Sequence, residues 1–128
     1  MTMLSKDYIE AAKKTESTNF SEIKERLSDK GMIRLLHAAV GVSTESGELL
    51  DALKKHIYYG KDLDKTNLFE EVGDLFWYLA ILADELGFDF EKVMAKNVEK
   101  LQARYGDAFS SDKAIKRDLT EERKILDS

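Results

Sequence analysis

The apolar residues of this chain recur at intervals of three and four almost from end to end. Leu4, Tyr8, Ala11 and Ala12 make one stripe over residues 4–14, the spacing of a single helical face. After a polar break, TESTN at 15–19, Phe20, Ile23 and Leu27 repeat the period. SDKG at 28–31 closes that segment, with Gly31 suited to a left-handed cap. The longest pattern covers 32–58 and places Leu35, Ala38, Val42, Glu45, Leu49, Ala52 and His56 on one face. Gly41, Ser43 and Thr44 mark its middle as a place for a kink. A polar turn over 59–66 leads to a helix over 68–86, which carries Leu68, Glu71, Val72, Leu75, Leu79, Leu82 and Leu86. Asn67 with Glu70 fits a capping box at its start, and Gly87 ends it. Asp89 caps a helix over 90–105 bearing Phe90, Val93, Met94, Val98, Leu101 and Tyr105, which Gly106 stops. A short helix is predicted from about 118 to 126.

No segment alternates long enough to form a strand, so the pattern predicts an all-α fold, a bundle of four to five helices. The 128 residues make one domain. Its core lies at about 32–106, preceded by N-terminal helices over 4–30 and followed by a tail over 107–128. Pro is absent and only 7 Gly occur, too few breakers for a turn-rich β architecture. The absence of Cys excludes a disulfide framework, a thiolate zinc site and a thiol nucleophile. Twenty basic against 25 acidic residues, net charge −5, disfavour a nucleic-acid polymer or an anionic membrane as partner. No apolar run approaches the ~20 residues of a membrane span, and MTMLSKDYIE lacks the apolar region of a signal peptide. A cytoplasmic protein is the expectation.

A bundle core should be apolar, and at two places this one is not. Glu45 interrupts the stripe between Val42 and Leu49, with Glu48 three residues on; Glu71 interrupts the next stripe, with Asp74 three residues on. Residues at i and i+3 share a helical face, so ESGE (45–48) and EVGD (71–74) can point into one seam. Four carboxylates there would repel one another unless a cation joined them. Oxygen-only ligands select Mg²⁺, with Mn²⁺ the alternative, over Zn²⁺. Ordinary exposed glutamates are the competing reading of the same spacing. Gly47 and Gly73, each one residue before the last acid of its pair, suggest close helix approach or room for a bulky anion. Measured from the turn, Glu45 and Glu48 lie about six residues deeper than Glu71 and Asp74, an offset of ~9 Å along the axes. The connection must be asymmetric, or the long helix must end early, for the pairs to meet.

Lys96, Lys100 and Arg104 recur every four residues as a basic stripe, with Asn97 beside it offering both a donor and an acceptor. Such a stripe suits a polyphosphate opposite an anionic metal cluster; a solvated face is the alternative. Trp77 reads as a core residue, His37 and His56 as structural or exposed, and Lys54 and Lys55 as a solvated helix end. Glu-x-x-His pairs, needed for a di-iron bundle, do not occur at either histidine.

The stretches TESGELLDALKK (44–55), FEEVGDLFWYLAILADELG (69–87) and KNVEKLQARYG (96–106), with AIKRDLTEER at 114–123, resemble the MazG-like all-α nucleoside triphosphate pyrophosphohydrolases. The resemblance covers roughly 32–123. It implies Glu45, Glu48, Glu71 and Asp74 as Mg²⁺ ligands, and Asn97 and Lys100, with Arg104 beside them, as substrate contacts. Thr44 stands where the family often has another acid. The implied reaction is hydrolysis of a nucleoside triphosphate to monophosphate and pyrophosphate, with Glu45 or Glu48 receiving the water's proton. Phosphoribosyl-ATP or an alarmone is the rival substrate, and a non-catalytic helical interaction module the rival role. A homodimer or homotetramer is expected, because helices 32–58 and 68–86 carry Phe69, Phe76, Trp77 and Tyr78 outside the main stripe.

Overall fold

The computed structural model describes residues 2–128. They form seven helices and no strand: α1 (Ser5–Thr15), α2 (Phe20–Leu27), α3 (Lys30–Tyr59), α4 (Lys65–Leu86), α5 (Phe90–Tyr105), α6 (Ser111–Ile115) and α7 (Leu119–Asp127). The all-α expectation holds, and the short helix expected from about 118 to 126 is α7; α6 is the one element the period did not suggest. Both are short, and side-chain caps begin them. Ser110 accepts from the Lys113 amide to start α6, and Asp118 accepts from Glu121 to start α7.

Caps also move two predicted boundaries. Asp29 accepts from the Met32 amide at 2.9 Å, so α3 begins at Lys30 and Gly31 lies within its first turn. The left-handed positions fall at Gly60, Gly87 and Gly106 instead. Asp64, not Asn67, caps α4, accepting from the Asn67 amide at 3.0 Å. In both cases a carboxylate facing the positive end of a helix starts the element earlier than the apolar stripe does. Asp89 caps α5 as expected. The helix α3 runs unbroken through Gly41, where the Thr44 hydroxyl bonds back to the Gly41 carbonyl and Ser46 to that of Val42.

The antiparallel pair α3 and α4 is the frame of the molecule. Arg34, near the start of α3, forks at 2.6 Å to both Asp84 and Glu85 at the end of α4. Midway, the Tyr78 ring lies so close over Gly41 that a Cβ there would overlap it. Only Ala38 and Ala83 are buried hydrophobic residues among those described. The helix α2 packs on α3, and α5 packs on α6 and α7. Trp77, expected in the core, is 56% exposed and packs edge-on to Tyr78 at 5.1 Å.

The exposed surface, 10567 Å², is well above the ~6,900 Å² that size scaling assigns to a folded monomer of this mass. Large apolar residues contribute to it: Phe69 is 82% exposed, and Leu50, Ile57, Phe76 and Ile115 are all exposed with it.

Candidate metal centre

Glu45 comes from the middle of α3, and Glu71 and Asp74 come from the second and third turns of α4. One carboxylate oxygen from each lies within 4.8 Å of the other two. Glu71 is buried, only 9% exposed, while Glu45 is half-buried and Asp74 is open to solvent. The pKa of Glu71 is pushed up to about 7. The leading cause is its hydrogen bond to Glu45, followed by desolvation and then by the charges of Glu45, Glu48 and Asp74. Below about pH 7 the seam therefore holds a proton.

Glu48 stands one turn nearer the loop and outside this trio. Three residues advance the helix by about 300°, so its side chain leaves α3 roughly 60° away from that of Glu45. It is exposed and lines a second, polar cavity of about 240 Å³ with Asp51, Lys55, Lys61, Asp64 and Asn67. Its charge still reaches Glu71. Lys55 is held by Asp51 at 2.6 Å, and it lines this cavity rather than a bare helix end. The periodic reading missed Lys61 here, because a loop residue has no stripe to break, and it gave Asn67 only a capping role.

The same cavity explains how the acids meet despite their unequal distances from the turn. Lys61, Asp62 and Asp64 line this cavity with Asp51, Ala52 and Lys55, and the Lys61 amide donates to the Lys55 carbonyl at 3.1 Å, so the connection doubles back along α3 before α4 begins. Gly60, left-handed at φ 71°, turns the chain, and the His56 ring nitrogen Nδ1 meets the Lys61 carbonyl at 2.8 Å. The last turns of α3 overhang the start of α4, which slides Glu71 and Asp74 toward Glu45. The connection is asymmetric, and the long helix does not end early.

Gly47 and Gly73 face open space, with nothing within 4 Å of a Cβ at either. Close helix approach is therefore not their role; in this fold that falls to Gly41. What they leave beside the acids is room.

The basic stripe lies on α5, away from the packed face of α3 and α4. Among the described residues, Asn97, Lys100 and Arg104 make no hydrogen bond or ion pair with the acidic trio. Asn97 is exposed and lines a cavity of about 420 Å³ with Phe88, Lys92, Met94 and Leu126. Lys100 is half-buried. Lys96 bonds Glu99 at 3.1 Å and the Ser128 hydroxyl at 2.7 Å. Arg104 gives its Nε and Nη2 to Glu122 at 2.6 and 3.2 Å, and Arg117 approaches the same carboxylate. Glu122 is only 4% exposed. Its two arginines, Arg104 first, hold its pKa down to about 2. Arg104 thus anchors α7 to α5. Glu122 was not singled out from the sequence, although it shares the face of α7 that carries Ile125 and Leu126.

An all-α frame whose two longest helices converge three carboxylates defines a helical carboxylate centre, a donor set for a hard divalent cation. The sequence profile of the MazG nucleotide pyrophosphohydrolase domain matches residues 36–109, and the chain belongs to that family. Gene 37 protein of Mycobacterium phage L5 is 35% identical over 75 residues, covering 55% of this chain. The chain spans 65% of that relative's length. No solved structure matches the chain. No helix among the described residues is long and apolar enough to cross a membrane.

Proposed function

We propose that this protein is a Mg²⁺-dependent pyrophosphohydrolase that converts a nucleoside triphosphate, ribo or deoxy, and water to nucleoside monophosphate and pyrophosphate. The observation that carries the reading is the convergence of Glu45, Glu71 and Asp74 from two helices inside the family-matched region. The donor set fits the ion. Octahedral Mg²⁺ with bonds of ~2.1 Å keeps adjacent oxygens ~3 Å apart, so oxygens within 4.8 Å of one another need only small side-chain rotations. Oxygen-only ligation also admits Mn²⁺.

Glu45, Glu71 and Asp74 would hold the metal, and Glu48 would complete the acidic set from the open side. When bound, the ion would supply Lewis acidity at the phosphate oxygens and lower the pKa of a coordinated water. Glu48, exposed and one turn from the trio, suits the acceptance of the proton that the attacking water loses. Attack at the α-phosphorus breaks the bond to the bridging oxygen, and pyrophosphate leaves with the bond's electron pair. The space beside Gly47 and Gly73 suits the triphosphate. Asn97 and Lys100 would contact substrate through base or sugar and phosphate. Arg104, committed to Glu122, would act by holding α7 in place.

The active form would be a homodimer or homotetramer. The surface in excess of a compact monomer is ~3,700 Å² per chain by size scaling, the scale of obligate interfaces rather than transient ones. The test of function is a nucleotide screen with Mg²⁺, with products separated by ion-exchange chromatography. Pyrophosphate release that stops in EDTA is expected. Orthophosphate as the first product, or no turnover of any nucleotide, would overturn the proposal.

A further inference from the structure

Trp77 is the chain's one tryptophan. It stands three residues beyond Asp74 on α4, about 4.5 Å further along the axis and about 60° around it, so the two share an edge of the helix. Phe76 and Leu79 turn to the other edge, where they line an apolar cavity of about 420 Å³ with Phe88, Val93 and Met94. Trp77 takes no part in that lining. Its edge is the one on which the metal centre opens to solvent through Asp74, itself exposed.

The indole is held without being covered. Tyr78, fixed over Gly41 of α3, meets it edge-on, with the ring planes at 90°. The His37 ring of α3 meets Tyr78 in the same manner at 5.9 Å. A T-shaped contact occupies at most one face of the indole, and 56% of the residue is exposed. Gly73 lies one turn below, and a helical side chain leans over the turn that precedes it. A Cβ at Gly73 would still meet nothing within 4 Å, so the strip of α4 beside the acids and below the indole is open.

We propose that Trp77 receives the base of the substrate, which stacks on the indole while Glu45, Glu71 and Asp74 hold the metal and its phosphates. The proposal rests on the reaction proposed above and names the residue that binds the nucleoside end. The separation suits it: one sugar joins the α-phosphate of a nucleotide to its base, and one helical turn joins the acids to the indole. Charge favours this occupant over a second copy of the chain. Glu70 and Asp74 flank the indole, both exposed, so a two-fold contact centred on Trp77 would set like charges together. A metal-bound nucleotide carries its own cation to that edge. Stacking tolerates any base, because each has a π-face, so Trp77 favours nucleotides over bare polyphosphate without choosing among bases.

A single tryptophan gives the test a direct signal. Wild-type protein with Mg²⁺ is titrated with the α,β-methylene analogues of ATP and dTTP, in which the bond to be cleaved is blocked, and separately with inorganic tripolyphosphate. Indole emission should be quenched by the nucleotide analogues and not by tripolyphosphate. Trp77→Ala should raise KM for the nucleoside triphosphate at least about fivefold, the scale of one lost base stack, and leave the inhibition constant of tripolyphosphate where it was. Trp77→Phe should restore most of the loss. No quenching by either analogue, equal quenching by tripolyphosphate, or an unmoved KM in Trp77→Ala overturns the stacking role. An emission change that follows protein concentration instead of nucleotide places the indole in a contact between copies and overturns it too. In each of these cases continued pyrophosphate release leaves the reaction standing, whereas absence of turnover with every nucleotide overturns both.

Discussion

Glu45 on α3 and Glu71 on α4 bring carboxylate oxygens within 4.8 Å of each other across the seam, and the nearness of Glu45 is the main reason the Glu71 pKa rises to about 7. Two carboxylates this close are relieved when one of them keeps its proton. A cation entering the trio would have to displace that proton.

The first prediction concerns that exchange. Below about pH 7 an incoming metal must expel the Glu71 proton, so apparent Mg²⁺ affinity should fall as pH drops and level off above pH 7. Metal-free stability should move the other way. The folded-state pKa of Glu71 lies above its ordinary 4.5, so the folded chain binds more protons than the unfolded one in that window. Its contribution is present below 4.5 and lost as pH rises through 7. Calorimetry in two buffers of different ionisation enthalpy should show proton release on Mg²⁺ binding at pH 6.5. Binding without proton release would contradict the coupling.

Neutralising one acid should separate stability from activity. Glu71→Gln should abolish turnover, leave the metal-free protein equally or more stable at pH 8, and remove the rise in Tm with millimolar Mg²⁺. For the wild type, saturation at 100 times Kd adds ~2.7 kcal/mol. Glu48→Gln, at an exposed position, should change metal-free stability by no more than ~0.5 kcal/mol while turnover is lost. Thermal melts with EDTA and with Mg²⁺, alongside single-turnover assays, check both. A fully active Glu48→Gln enzyme would remove Glu48 from the site.

The glycines divide by what stands over them. Gly41→Ala drives a methyl into the Tyr78 ring and should destabilise by about 1–3 kcal/mol, as overpacking does; a Tyr78→Ala background should relieve it. Gly47→Ala meets nothing and should stabilise α3 by up to ~1 kcal/mol through helix propensity. If the space at Gly47 holds the triphosphate, the same change should raise KM. Denaturant melts of the two variants should shift in opposite directions; a shared direction would refute the contrast.

The Glu122 carboxylate should lock α7 down to strongly acid pH. Its pKa is lowered to about 2, so its stabilising effect is present above the ordinary 4.5 and is lost as pH falls toward 2. Glu122→Gln should raise hydrogen exchange across 119–127 at neutral pH without unfolding α3 and α4. Unchanged exchange in the variant would show that apolar contacts alone hold α7.

Lys100→Ala should raise KM more than it lowers kcat if Lys100 binds phosphate equally in the ground and transition states. Steady-state kinetics decide this. A large fall in kcat at unchanged KM would place its charge at the transition state instead.

Helices were legible in the order of residues because burial of one face imposes a 3.6-residue period on where apolar residues fall. Acids breaking that period at Glu45 and Glu71 were legible for the same reason: a charge in an apolar stripe needs a cause. Helix starts at Lys30 and Lys65 were less so, since Asp29 and Asp64 act through hydrogen bonds that extend the helix beyond its stripe. Tertiary structure decided what depends on distance. It brought Glu45 to Glu71 and Asp74 by folding residues 61–64 back along α3, an offset that spacing along two separate helices cannot encode. It turned Glu48 out of the trio, and it gave Arg104 to Glu122, eighteen residues away in the chain. It also left Trp77 and the whole of α1 uncovered. Periodicity identifies a face that must be buried, whereas the identity of what buries it is set by packing between elements.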